Sequence, residues 1–140
     1  MEKKCENLPF LILMQTSKAI HDRIKEEMSK YKLGITEFSV LEVLYQKGKQ
    51  TIQQIGNSIL VSSGSMTYVI DKLEQRGLLC RSDCPNDRRA IHVSLTDDGN
   101  NFMNEIMPKY NELIKNMFDS LDFNENETFV KLLRKVKSKV

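Results

Sequence analysis

Apolar side chains return every three or four residues over most of this chain, with one short interval where they alternate instead. Phe10, Leu13, Met14, Ile20, Ile24, Met28 and Tyr31 share a face with Ser17, which predicts a long amphipathic helix over about 8–31, ended by Leu33 and Gly34. Thr36 then reads as the cap of a second helix with Phe38, Leu41, Leu44 and Tyr45 inward, stopping near 47–49. Thr51 opens a third, through about Ser58, carrying Ile52, Ile55 and Ile59. In the fourth, Met66, Val69, Ile70 and Leu73 form one stripe between a Ser62 N-cap and a left-handed stop at Gly77. Val61 and Met66 stand at hydrophobic-staple spacing around that start.

The period changes after Gly77. The β-prone runs "LLCRSD" and "AIHVSL" flank "CPNDRR", so a two-stranded ribbon with its tip near 85–89 follows directly on the fourth helix. Helical spacing returns at Thr96, a cap followed by Asp97 and Asp98, where negative charge suits the helix dipole. Phe102, Ile106, Met107, Tyr110, Leu113, Ile114 and Met117 continue that fifth helix, which Pro108 is expected to kink. Asn124 and Glu127 read as a capping pair for a sixth helix bearing Phe129, Leu132, Leu133 and Val136.

This order is a winged helix-turn-helix: a mainly α fold with a small β-wing, the lobe over about 35–95 and flanking helices over about 1–34 and 96–140. With 140 residues, the chain is sized for a single domain. The fourth helix turns a short polar face outward at Ser63, Gly64, Ser65 and Thr67, with Lys72 and Arg76 farther along. Small side chains let a helix approach base edges in a major groove, and cations farther along suit phosphates. The ribbon tip carries Asp87, Arg88 and Arg89, where a guanidinium held by a carboxylate suits the concentrated negative potential of a narrow minor groove.

Net charge is only +2, but its distribution agrees with that reading. Residues 47–92 hold seven basic and four acidic side chains, leaving that segment at +3 and the flanks at −1. Three cysteines, Cys5, Cys80 and Cys84, lack a zinc-type pair and form no disulfide framework, and Cys80 is expected to pack as a small hydrophobe. His21 and His92 have no second ligand at metal spacing, so no metal or cofactor is expected. No nucleophile-base order, phosphate-binding glycine loop or paired-acid motif points to an enzyme. The absence of a bilayer-length apolar run leads to the expectation of a cytoplasmic protein.

The stretch "TIQQIGNSILVSSGSMTYVIDKLEQRGLL", the wing "DRRAIHVSLTDDG" and helices at both ends together resemble the MarR family of bacterial transcriptional regulators. That resemblance implies a homodimer paired through the first, fifth and sixth helices, bound to a palindromic operator in double-stranded DNA and released by a small molecule or an oxidant. It matches Asp87 and Arg89 to the wing pair and Ser62 to Thr67 to the start of the recognition helix. It also implies an effector cleft, for which Met14, Ser17, His21, Phe38, Leu41, Tyr45 and Met107 are the candidate lining.

Within the family, "ITEFSVLEVLYQKGKQTIQQIG" through "GSMTYVIDKLEQRG" is similar to the repressors of low-GC Gram-positive bacteria that answer to quinones and hydroquinones, which implies a small aromatic effector. The organic-peroxide sensors of the family carry a cysteine where this chain has Pro9. Two alternatives stay open at this level. One is a thiol switch at Cys5, whose neighbours Lys3 and Lys4 would favour a thiolate; the other is a helical protein-interaction module that binds no DNA.

Overall fold

A computed structural model of the chain describes residues 6–59, 63–84 and 87–140, with the backbone alone described at Ser63, Gly64, Cys84 and 87–89. The expected Ser62 cap, its Val61 staple, the Pro85–Asn86 tip and Cys5 lie outside the described residues.

The first helix, α1 (Leu8–Ser29), carries Pro9 in its opening turn, where a missing N–H costs nothing. It ends as Leu33 N–H reaches the Met28 carbonyl at 3.1 Å and Lys32 takes a left-handed φ of 56°. The next, α2 (Ile35–Lys47), is capped by extended Gly34, not by Thr36 as the sequence suggests. The reason lies at Glu37, whose Oε1 accepts from Gly34 N–H at 3.2 Å and so selects the start one residue pair earlier. Gly48, at φ 75°, closes it.

A two-residue strand, β1 (Gln50–Thr51), follows, too short for any alternating signal. Thr51 also opens α3 (Ile52–Ile59) through reciprocal bonds: Gln54 N–H donates to Thr51 Oγ1 at 3.1 Å, and Thr51 N–H donates to Gln54 Oε1 at 2.8 Å. The recognition-helix candidate, α4 (Ser63–Gln75), stops at Gly77, whose φ of 74° lets Leu78 N–H return to the Leu73 carbonyl at 3.1 Å.

The ribbon is β2 (Leu79–Cys84) and β3 (Asp87–Leu95), antiparallel, with β1 on the other side of β3. Leu79 stands opposite Leu95, Arg81 opposite Val93 and Asp83 opposite Ile91, after which Cys84 pairs with Asp87. Over that last step β2 advances by one residue while β3 accommodates Arg88, Arg89 and Ala90, a bulge of the kind that bends a strand at a wing tip. Buried Leu79 and Val93 put one face of the sheet in the core, which Phe38, Leu41, Leu44, Ile55, Met66, Ile70 and Leu73 complete from the helices.

The chain divides into two compact units, Met1–Asn104 and Glu105–Val140, the division falling within α5 (Asp97–Met117). Pro108 lies inside that helix and has no N–H to offer the Asn104 carbonyl four residues back. In the second unit Ile106 and Met107 are buried, and Phe118 meets Phe129 at 6.2 Å between ring centroids. Its closing helix, α6 (Phe123–Lys137), starts at Asp122, not at the Asn124 expected from sequence. Asp122 Oδ1 accepts from Glu125 N–H at 2.8 Å and Glu125 Oε1 from Asp122 N–H at 3.0 Å, a complete box that outcompetes the pair two residues on. Among the described residues no helix is long and apolar enough to cross a membrane.

Candidate nucleic-acid interface

The lobe presents α4 with one side sealed and the other exposed. Met66, Ile70 and Leu73 have no exposure, whereas Ser65, Thr67, Tyr68, Asp71 and Lys72 face outward. This asymmetry is what a docking helix needs: the apolar stripe pins it to the lobe, and Ser65 and Thr67 lie on the outward side. Ser63 and Gly64 form its first turn.

Two side chains beyond that start take different tasks. Lys72 is exposed, with Nζ 3.6 Å from Glu37 Oε1 and 5.6 Å from the centre of the Tyr68 ring. Arg76, expected from sequence to meet phosphate, is exposed and bonded to two backbone carbonyls. Its Nη1 donates to the Lys32 carbonyl at 2.9 Å and its Nη2 to the Tyr31 carbonyl at 3.1 Å, while the guanidinium lies 5.5 Å from the centre of the Phe102 ring. Phe102 in turn meets Tyr31 edge-on at 6.2 Å. Arg76 thus caps the carbonyls at the end of α1 and ties that end to α4 and α5, a role invisible in sequence because its partners lie 44 and 45 residues away.

The wing is tied to α4 by a residue that sequence reasoning passed over. Arg81, second on the inward face of β2, donates from Nη2 to Asp71 Oδ1 at 2.5 Å and from Nη1 to Glu74 Oε1 at 2.7 Å; its own N–H reaches Glu74 Oε2 at 3.2 Å. The Asp71 hydrogen bond, with the charge of both carboxylates, pushes the guanidinium above its ordinary range. Half of the four acidic side chains in the basic segment are therefore engaged with one arginine. The only sequence signal was Asp71 and Glu74 at i, i+3 on the helix before a strand.

The wing joins α5 through "LTDDG". Thr96 Oγ1 donates to the Gly77 carbonyl at 2.6 Å and accepts from Gly99 N–H at 3.0 Å, while Thr96 N–H donates to the Leu78 carbonyl at 3.1 Å. Gly99 is buried against that same carbonyl, and a Cβ there would lie 1.9 Å from the oxygen. The Thr-x-x-Gly spacing is thus a joint that seats the fifth helix on the turn after the fourth.

The candidate effector residues differ in exposure. Met14, Ser17 and His21 are exposed along α1, and Tyr45 on α2 donates from its hydroxyl to Asn104 Oδ1 at 2.6 Å. Phe38 and Leu41 are enclosed in the lobe core, so their surface goes to packing. Met107 is buried in the second unit. Cys80 is exposed, contrary to the expectation of a buried hydrophobe, because it occupies the outer face of β2, where its Sγ lies 3.6 Å from Ser94 Oγ. His92, on the same outer face between Thr51 and Ser82, has a buried Nδ1.

Comparison with known proteins agrees with this geometry. Residues 33–91 match the MarR family. The chain is 42% identical to the HTH-type transcriptional regulator MhqR of Bacillus subtilis, over 91% of this chain and 88% of that one. A cysteine-to-serine variant of E. coli MarR, solved in complex with operator DNA, superposes with a TM-score of 0.81 at 25% identity, covering 96% of this chain and 99% of its own. Bordetella bronchiseptica BpsR, whose DNA binding is regulated by 6-hydroxynicotinic acid, superposes with a TM-score of 0.80 at 27% identity, covering 94% and 99%. A helix-turn-helix with an exposed outer face, a wing clamped to it by Arg81 and identity of this extent over nine-tenths of the chain lead to one conclusion: the protein belongs to the MarR family of DNA-binding transcriptional regulators.

Proposed function

We propose that two copies of this chain form a repressor that sets α4 of each lobe in successive major grooves of a palindromic operator and the wing tip in the flanking minor groove. The observation that carries the reading is the division of α4 into a sealed face and an outward face of Ser65, Thr67, Tyr68 and Lys72. In this reading Ser62, Ser63 and Gly64 act at the start of the helix and Asp87, Arg88 and Arg89 at the wing, as the resemblance to the family implies. Pairing of copies is supported by the apolar side chains exposed on the outer helices: Leu8, Phe10, Leu11 and Ile12 on α1, and Phe129, Val130, Leu132 and Val136 on α6. Each of these exposed apolar faces is of the kind that a second copy covers. Dimerisation through residues 1–34 and 96–140 follows from it.

The effector in this proposal is a small hydroxylated aromatic compound. Support comes from the resemblance of residues 35–56 and 64–77 to the quinone-responsive repressors of the family and from the hydroxylated ring of 6-hydroxynicotinic acid, which regulates DNA binding by BpsR. Met14, Ser17, His21 and Tyr45 are the accessible candidates for its contacts. It acts by favouring a lobe spacing that does not fit the operator; a 100-fold preference, worth about 2.7 kcal/mol, empties a half-occupied site.

A mobility shift on the DNA upstream of the protein's own gene, titrated with salt, tests the DNA arm. Arg89→Ala is expected to weaken binding without lowering thermal stability, and affinity equal to the parent's removes the wing from the mechanism. Release by hydroquinones, compared between the parent and a variant with Cys5, Cys80 and Cys84 all changed to Ser, tests the effector arm. If the variant binds DNA but ignores every compound that releases the parent, the protein is a thiol switch instead.

A further inference from the structure

Tyr68 is 64% exposed, a large aromatic in the middle of the outward face of α4 among serines, a threonine and a lysine. Leaving a ring of this size in water forfeits one of the larger apolar contributions a side chain makes, and among the described residues the lobe leaves most of it exposed. It sits three residues after Ser65, one helical turn farther from the helix start and on the same stripe. Four residues on, Lys72 brings its ammonium to 5.6 Å from the ring centre, which restrains the ring from one side and leaves the rest open.

We propose that Tyr68 is a specificity-determining residue of the operator complex, its ring making apolar contact with the C5-methyl of one thymine in each half-site. The inference rests on the docking of α4 in the major groove argued above. With the short side chains at the helix start against base edges, a residue one turn in meets the next base pairs along the groove, and the feature there that an aromatic surface recognises is the thymine methyl. The charge beside the ring favours DNA over a protein as the occupant. Lys72 travels with Tyr68, in a segment carrying +3, so the aromatic arrives at the groove with a cation poised for the neighbouring phosphate. The apolar surface suited to a second copy lies instead on α1 and α6.

The probe is a duplex that the parent protein selects from a random-sequence pool, in which each thymine is replaced in turn by deoxyuridine, removing only the methyl. The expected result is one position per half-site where the parent loses about fourfold in affinity, the value of one buried methyl. Tyr68→Phe keeps that loss, whereas Tyr68→Ala binds both probes alike. Titration at low salt keeps the weaker variant measurable. A Tyr68→Ala protein with the parent's full pattern of thymine sensitivity overturns the proposal. Ser65→Trp separates it from the docking on which it rests, because a bulky side chain at the helix start blocks entry. If that variant binds like the parent, α4 is not in the groove and both readings fall. If it loses specific binding while Tyr68→Ala retains the parent's pattern, only the role of Tyr68 falls.

Discussion

Replacing Gly99 with alanine sets two effects of opposite sign against each other, and the structure decides between them. Gly99 is the third residue of α5, and inside a helix alanine is ordinarily favoured over glycine by about 1 kcal/mol. Here the added Cβ would lie 1.9 Å from the Leu78 carbonyl oxygen and 2.9 Å from its carbon, so the helix start and the strand entry must separate by about 1 Å or more. Backbone cannot yield as a flexible side chain can. That separation stretches the three bonds of the joint: Thr96 N–H to the Leu78 carbonyl, Thr96 Oγ1 to the Gly77 carbonyl and Gly99 N–H to Thr96 Oγ1. At about 0.5–1.5 kcal/mol each, their loss outweighs the propensity gain, and a net destabilisation of about 0.5–3.5 kcal/mol is expected. Thermal and urea denaturation at one fixed protein concentration measure it, the thermal midpoint falling by roughly 2–14 °C. An alanine variant as stable as the parent would refute the reasoning, since it would mean that the turn after α4 does not press on α5.

Arg76→Ala and Lys72→Ala are expected to part company. Arg76, bound to two carbonyls and stacked on Phe102, affects stability, by about 1–3 kcal/mol, and leaves the salt dependence of DNA binding unchanged; Lys72 lowers that slope by about one and leaves the fold alone. A reduced slope in the Arg76 variant would put its guanidinium on phosphate after all. Arg81→Met should cost only about 1 kcal/mol of stability, since its partners are half exposed, yet weaken operator binding further by unmasking Asp71 and Glu74 beside the DNA face. Adding Asp71→Asn and Glu74→Gln should restore part of the affinity, and no recovery would count against the clamp. Burial pushes the half-buried Glu42 carboxyl above the ordinary glutamate range, so the folded state holds its proton more tightly and stability falls as pH rises through that interval. Glu42→Gln is accordingly more stable than the parent at pH 7, and the advantage disappears below about pH 4 in denaturation curves taken across that range.

Features written within one or two turns of chain were legible without coordinates. The 3.6-residue stripe of Met66, Val69, Ile70 and Leu73, the Thr51 cap and the Gly77 stop each depend on partners no more than about five residues away, and all three stand as read. The errors made at that range were choices between near-equal local alternatives, Gly34 over Thr36 and Asp122 over Asn124, settled by which acid three residues on could reach back. What only the tertiary structure decided involves partners far apart in sequence. The two-residue β1 exists because β3 lies beside it, with Gln50 opposite Val93. Lys72 on α4 and Arg76 just past its end have different surroundings because two carbonyls more than forty residues earlier stand within reach of Arg76. Arg81 holds the wing to α4 through a strand turned inward, and Gly99 is small because the Leu78 carbonyl occupies the place of its side chain. Composition cannot distinguish a charge spent inside the fold from one left for a ligand, because the difference is fixed by where the backbone of another element passes.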